Sequence, residues 1–227
     1  MHIEKTKEEN INLAISPDGS YLGVSNVKDE LYFYDAKMWR QCKHIKYKFD
    51  INGFTWDKGE GRLLFVTDQT GTVSIFNGES LANQPLHVMN DCHHGHCFAI
   101  AVDSSNRFFV TGGTDSLIGL WDMNDFMLMS TISNNDARVM AVSLNHEGNL
   151  IASICEDDIN KKYMIEVYDF NYDDPYTGGH TLYTHTSPYE KQCLSWNPRK
   201  NVLAFAGEDK DGAFVHILSP NGSQSGA

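Results

Sequence analysis

Short apolar segments separated by polar turns recur five times along the chain. The first segment of each repeat ends in a bulky residue before a turn, at 11–15, 51–56, 98–102, 139–144 and 193–196. A second segment follows at 21–25, 63–67, 108–112, 150–154 and 202–206. A third, usually with an aromatic residue before Asp or Asn, lies at 31–35, 72–77, 118–122, 164–169 and 214–218. This pattern predicts short β-strands, and no useful stripe at the helical period interrupts it.

Repeats of roughly 40 to 50 residues that carry several strands and a Trp-Asp pair are typical of β-propellers. The sequence resembles the WD-repeat family, most strongly in the third repeat, which ends in Trp121 and Asp122. The resemblance implies an all-β WD40-type β-propeller. It also implies that His93, Thr111, Asp115 and Trp121 form the family's hydrogen-bonded structural tetrad. A buried Asp needs donors such as an imidazole N–H, and a buried indole N–H needs an acceptor.

The repeats account for nearly the whole chain. We expect a single domain over residues 1–220, with repeats at about 1–45, 46–90, 91–133, 134–186 and 187–220, and a disordered Gly- and Ser-rich tail at 221–227. A seven-bladed ring needs about 300 residues at this repeat length. Five repeats therefore fit either a small ring or the C-terminal part of a seven-bladed propeller.

Composition narrows the class of protein. Of 227 residues, 41% are hydrophobic, which excludes a mostly disordered chain. Thirty acidic and eighteen basic side chains give a net charge of −12, so direct nucleic-acid binding is not expected and RNA contact would be at most indirect. The five scattered cysteines suit reduced thiols. The N-terminus lacks the apolar stretch of a signal peptide, and no membrane association is expected.

Acidic residues concentrate in the turns between second and third strands, which emerge on one face of a propeller. They include Asp29, Glu30, Asp68, Glu156, Asp157, Asp158, Glu208, Asp209 and Asp211. Taken singly, each suits turn geometry. Taken together, they predict an acidic rim that would attract basic protein segments. The main basic run is predicted to be a solvated strand face, and it is the one local place where RNA contact could occur. It consists of Lys37, Arg40, Lys43, Lys46 and Lys48.

The sequence contains no phosphate-binding loop, nucleophile elbow or metalloprotease motif, so we expect no enzyme, no cofactor and no small-molecule substrate. One segment, 91–97, holds several potential zinc ligands: Cys92, His94, His96 and Cys97. Strand alternation from Cys97 onward sends neighbours to opposite faces, which argues against four converging ligands. We therefore predict no metal site there, with these four as weak candidates.

The fourth repeat is lengthened at 159–162 and at 171–179. Loops tolerate such insertions without a functional reason. The alternative is that Tyr172 and Tyr176 are anchors for a partner, because exposed aromatic side chains on loops often carry binding energy.

Several stretches are similar to one family within the WD-repeat proteins, the WD-repeat subunits of the THO complex. They are 6–12, Ser16-Pro17-Asp18-Gly19, Asp35-Ala36-Lys37, Leu203-Ala204-Phe205-Ala206 and Asp209-Lys210-Asp211-Gly212. The resemblance implies a non-enzymatic scaffold in mRNA packaging and nuclear export, with other THO subunits as partners, in the nucleus or alternatively the cytoplasm. That family has repeats before the region matched here. The alternative is a stand-alone peptide-recognition propeller, of the ubiquitin-ligase or chromatin-adaptor type, that binds basic segments on the acidic rim.

Overall fold

A computed structural model describes residues 8–59, 62–133, 137–188, 190–219 and 225–226, and these residues form five four-stranded sheets. No helix occurs among them. In every sheet, strands adjacent in sequence are hydrogen-bonded neighbours, so each sheet is an up-and-down meander. The all-β class predicted from the spacing of apolar segments is confirmed.

The chain divides into two compact units, Met1–Phe98 and Ala99–Ala227, where the sequence pattern predicts a single domain. The first unit holds two complete sheets. They consist of β1 (Asn10–Ile15), β2 (Tyr21–Asn26), β3 (Glu30–Asp35) and β4 (Arg40–Lys46), then β5 (Ile51–Trp56), β6 (Leu63–Asp68), β7 (Val73–Asn77) and β8 (His87–Met89).

The second unit holds the remaining sheets, except that β9 begins two residues before it. The third sheet comprises β9 (Cys97–Val102), β10 (Phe108–Gly113), β11 (Ile118–Asp122) and β12 (Leu128–Ile132). The fourth comprises β13 (Arg138–Leu144), β14 (Leu150–Asp157), β15 (Lys162–Asp169) and β16 (Thr181–Ser187). The fifth comprises β17 (Lys191–Trp196), β18 (Leu203–Asp209), β19 (Gly212–Leu218) and β20 (Ser225–Gly226).

The strand β20 falls in the segment expected to be a disordered tail. Its two residues pair with His216 and Ile217 of β19. The rest of 221–227 lies outside the described residues. Backbone pairing with β19 thus involves Ser225 and Gly226, and the disordered tail stays a prediction.

A β-bulge recurs at the start of the first strand in four sheets among the described residues. The strand register shifts between Asn10 and Asn12, Ile51 and Gly53, Val139 and Ala141, and Lys191 and Cys193. A bulge adds one residue on one strand and increases the local twist. The same irregularity at the same place in successive sheets supports the repeat found in the sequence.

The core consists of apolar layers between successive sheets within each unit. In the first unit, Phe33 of β3 meets Trp56 of β5 edge-on, with ring centroids 5.9 Å apart, and both side chains are buried. In the second unit, Ile151 and Val110 belong to one layer, and Ile154 and Phe205 to another. The second and third strands of the second and third sheets are covered on both faces, which explains their almost continuous apolar runs.

Candidate interaction surfaces

The third sheet contains the polar pair that the sequence predicts most strongly. The indole nitrogen of Trp121 donates to the Thr111 hydroxyl over 2.9 Å, and both side chains are buried. Gly119 makes room for this contact, because a Cβ there would lie 2.7 Å from Trp121 Nε1. Asp115 accepts a hydrogen bond from the backbone N–H of Leu117 over 3.2 Å. Two of the four tetrad residues are thus joined directly, and a third shapes the turn between β10 and β11.

The fourth predicted tetrad residue, His93, belongs to the first unit, where it is buried. Its backbone N–H donates to the carbonyl of Gly71 over 3.2 Å. Gly71 has φ +79°, and a Cβ at this position would lie 2.1 Å from the carbonyl oxygen of His93. Only glycine fits both that left-handed conformation and that close approach. The segment that precedes β9 is therefore held against the β6–β7 turn.

The second sheet contains a different buried polar group, Asp68, which the sequence predicts instead as part of the acidic rim. Asp68 is fully buried, and its Oδ1 accepts from the Thr70 backbone N–H at 2.8 Å and hydroxyl at 2.6 Å. Its Oδ2 accepts from the Tyr47 hydroxyl over 3.0 Å, and that hydroxyl also lies 2.7 Å from Ser74 Oγ. Burial raises the pKa of Tyr47. This carboxylate is used inside the fold and is not presented on a rim.

The fourth sheet has a further internal network, built from residues that the sequence did not single out. Tyr168 donates to Glu166 Oε2 over 2.6 Å, and both side chains are buried. The Cys155 thiol lies 3.9 Å from the same carboxylate oxygen and 3.3 Å from Ser153 Oγ. Burial raises the pKa of Tyr168, with the Glu166 hydrogen bond acting in the same direction. The tyrosine hydroxyl meets the need of a buried carboxylate for a donor.

The other predicted rim carboxylates of the first unit have partners within the chain. Asp29 accepts from the Ile51 backbone N–H over 3.3 Å. Glu30 accepts from Asn26 Nδ2 and from the Tyr32 hydroxyl, each over 2.9 Å, and these bonds lower its pKa. Turn and strand geometry therefore accounts for both positions.

In the second unit, Arg138 binds two of the predicted rim residues, with 2.9 Å to Glu156 and 2.7 Å to Asp158. Asp157 accepts from both the backbone and the side chain of Asn160, and these bonds lower its pKa. Glu208 and Asp211 are exposed, and the side chain of Asp209 lies outside the described residues. A rim that binds partners through these residues stays a prediction.

The two candidate loop anchors have different surroundings. Tyr172 is half-buried, with its ring stacked on Phe108 at 5.7 Å and the Arg107 guanidinium 5.0 Å from its centroid. Tyr176 is 86% exposed. Only Tyr176 is presented to a partner in the way that the prediction requires.

The Cys-His segment places its candidate ligands in different surroundings. The Cys92 thiol donates to the Met89 carbonyl over 3.3 Å, and burial raises its pKa to about 12. Cys97 is buried, His94 is exposed, and His96 stacks on Phe98 at 5.1 Å. Among the described residues, no three His, Cys, Asp or Glu side chains are grouped to hold a metal ion. A protonated thiol is a poor metal ligand.

A groove of about 480 Å³ lies in the first unit beside β4 and β8, and we call it the Lys48 groove. Its apolar lining includes Ile45, Phe49, Phe76 and Val88. Two lysines, Lys46 and Lys48, also line it. The sequence pattern predicts these lysines to lie on a solvated strand face and gives no sign of a cavity beside them. The other members of that basic run, Lys37, Arg40 and Lys43, do not line the groove.

Comparisons with known proteins agree with this architecture. Residues 83–122 match the family described as WD domain, G-beta repeat. The chain is 32% identical to THO complex subunit 3 of Arabidopsis thaliana over 203 residues, which is 89% of this chain and 60% of that protein. The chain thus spans less than two thirds of that relative. No helix in the described part of the chain is long and apolar enough to span a membrane.

Solved structures show the same fold at low sequence identity. The β-propeller domain of Cps50 (Swd1) from Myceliophteria thermophila matches with a TM-score of 0.76 and 11% identity, over 95% of this chain and 72% of that one. Kuenenia stuttgartiensis hydrazine synthase matches with a TM-score of 0.78 and 13% identity, over 100% of this chain and 69% of that one. Similarity at this level concerns the fold alone. The fold is a WD40-type β-propeller.

Proposed function

We propose that this WD-repeat protein, which is similar to THO complex subunit 3, is a non-enzymatic scaffold subunit of a THO-like complex. The observation that supports the proposal most is the 32% identity along 89% of the chain, since it extends far beyond one repeat. The match of the repeat family alone covers residues 83–122 and would fit any WD-repeat protein. We place the protein in the nucleus, in the packaging of mRNA for export.

The chemistry of the described residues suits a scaffold. Buried carboxylates such as Asp68 and Glu166 are hydrogen-bonded to tyrosines inside the fold, so their role is to stabilise sheets. Protein partners would bind through exposed side chains, including the lysines of the Lys48 groove and Tyr176. With a net charge of −12, contact with RNA would be made by the partners.

Affinity purification of the protein, tagged at its own locus and expressed at its native level, tests the proposal. We expect the other THO complex subunits to be recovered in amounts comparable to the tagged chain. Recovery of the tagged chain alone, or with a ubiquitin ligase or chromatin complex instead, would contradict it. A second tagged WD-repeat protein from the same cells serves as the control for non-specific recovery.

A further inference from the structure

The Lys48 groove combines an apolar interior with positive charge at its opening. Phe76 is almost fully buried in it, while Val88 is 38% exposed and can be reached by a ligand. The ammonium group of Lys48 lies 4.7 Å from the centroid of the Phe49 ring, so this aromatic surface carries a cation. A volume of about 480 Å³ is within the range of sites that enclose small ligands or a few side chains.

The charge of the groove is opposite to that of the chain. The chain has a net charge of −12, yet two lysines line the groove and, among the described residues, no Asp or Glu side chain does. The nearby Asp68 is buried and occupied by Tyr47 and Thr70. Lys46 donates to the carbonyl of Lys28. Lys48 forms no salt bridge with any described residue and is exposed. Its charge is therefore available to a ligand.

Three exposed amide side chains, Asn83, Gln84 and Asn90, also line the groove. Amides donate and accept hydrogen bonds, so they suit the peptide groups of an extended segment. An interaction site of this kind combines an apolar pocket with a few polar groups that set the direction and identity of the ligand.

We propose that the Lys48 groove binds an acidic segment of a partner protein, which places an apolar side chain against Val88 and Phe76 and carboxylates beside Lys46 and Lys48. The inference rests on the proposed scaffold function, since it names the kind of partner segment that a scaffold would bind. Two lysines and an apolar interior fit a short acidic segment better than RNA, which needs several phosphate contacts to bind a chain this acidic.

Fluorescence anisotropy with the purified chain tests this. The probe is a fluorescein-labelled dodecapeptide with an Ile-Phe pair flanked by Asp and Glu. We compare it with one that has Lys and Arg in place of the acids, one that has Ser in place of Ile and Phe, and a labelled oligo(U) RNA. We expect the first peptide to bind at least tenfold more tightly than the other three, and less tightly at high salt.

Charge reversal then locates the site. The double variant Lys46→Glu/Lys48→Glu should weaken binding of the acidic peptide at least tenfold, and Val88→Asp should do so as well. The matched control Lys200→Glu changes an exposed lysine of the second unit and should leave binding within twofold. Circular dichroism verifies that each variant is folded.

Absence of acidic-peptide binding, equal binding of the basic peptide, or tighter binding of the RNA would overturn the proposal. Binding that survives Lys46→Glu/Lys48→Glu would overturn it too. This assay is independent of the purification from cells. If the acidic peptide does not bind but THO subunits are still recovered from cells, the proposed role of the groove is contradicted. If the peptide binds but no THO subunit is recovered, the proposed complex is contradicted.

Discussion

The hydroxyl of Tyr172 donates a hydrogen bond of 3.1 Å to Asp122 Oδ2, which joins the long loop of the fourth sheet to the end of β11 in the third. Stacking of the same ring on Phe108 adds an apolar contact to this polar one. Burial raises the pKa of Tyr172, and the bond to Asp122 raises it further. Tyr172 is therefore an anchor of the loop onto its own unit, which gives the lengthened fourth repeat a structural role.

Tyr172→Phe should lower stability by about 1 kcal/mol, because it removes a hydrogen bond to a charged acceptor while keeping the stacked ring. At this chain size, that loss lowers Tm by roughly 2–4 °C. Thermal unfolding followed by circular dichroism measures it. Tyr176→Phe is the matched control, since that side chain is 86% exposed, and no shift is expected. Equal shifts for both variants would show that the Asp122 contact does not stabilise the loop.

Thr111→Val should destabilise the protein by about 1–3 kcal/mol, because it leaves the buried Trp121 N–H without its acceptor while nearly conserving volume. The exposed Thr131 on β12 of the same sheet is the control, and Thr131→Val should change stability by less than about 0.5 kcal/mol. Urea unfolding monitored by tryptophan fluorescence compares the two. If Thr111→Val lowers the free energy of unfolding no more than Thr131→Val does, the hydrogen bond between Trp121 and Thr111 does not stabilise the sheet.

The turn between β1 and β2 predicts a pH effect centred on Asp18. Hydrogen bonds from the Ser16 and Ser20 hydroxyls, over 2.6 and 2.5 Å, lower the pKa of Asp18 to about 2. Because the folded-state pKa is depressed, the stabilisation is present above the unfolded value of about 3.9. It is lost as the pH falls through about 2. Carboxyl-carbon NMR titration should give a pKa near 2, and the doubly substituted Ser16→Ala/Ser20→Ala variant should return it toward about 4. A pKa near 4 in the unmodified chain would refute this prediction.

The sequence predicts the first three strands of each sheet well and does not reveal the fourth. Residues such as Leu64 and Phe65 in β6 are covered on both faces, so the strand is an unbroken apolar run. The fourth strand of the first sheet, β4, has the sequence Arg-Gln-Cys-Lys-His-Ile-Lys and buries only Ile45. A strand whose side chains are mostly polar and exposed has no apolar pattern by which to recognise it.

Side-chain networks were predictable only where they follow a known spacing. Thr111 and Trp121 were found through their resemblance to the WD-repeat tetrad. In the pairs Tyr47–Asp68 and Tyr168–Glu166, a tyrosine hydroxyl donates a hydrogen bond to a buried carboxylate. Each pair gives a buried polar group its partner, but with residues that follow no known sequence spacing, so the sequence does not reveal them. The Lys48 groove depends on the distance between β4 and the segment before β8, which only the folded unit provides.

The proposed function requires the protein to join a THO-like complex through protein contacts. The most direct measurement is quantitative mass spectrometry of the natively tagged protein, purified with and without ribonuclease treatment of the extract. We predict that the other THO complex subunits are recovered in near-equal amounts and that ribonuclease leaves these amounts unchanged. Recovery of no THO subunit, or loss of those subunits after ribonuclease, would contradict the account.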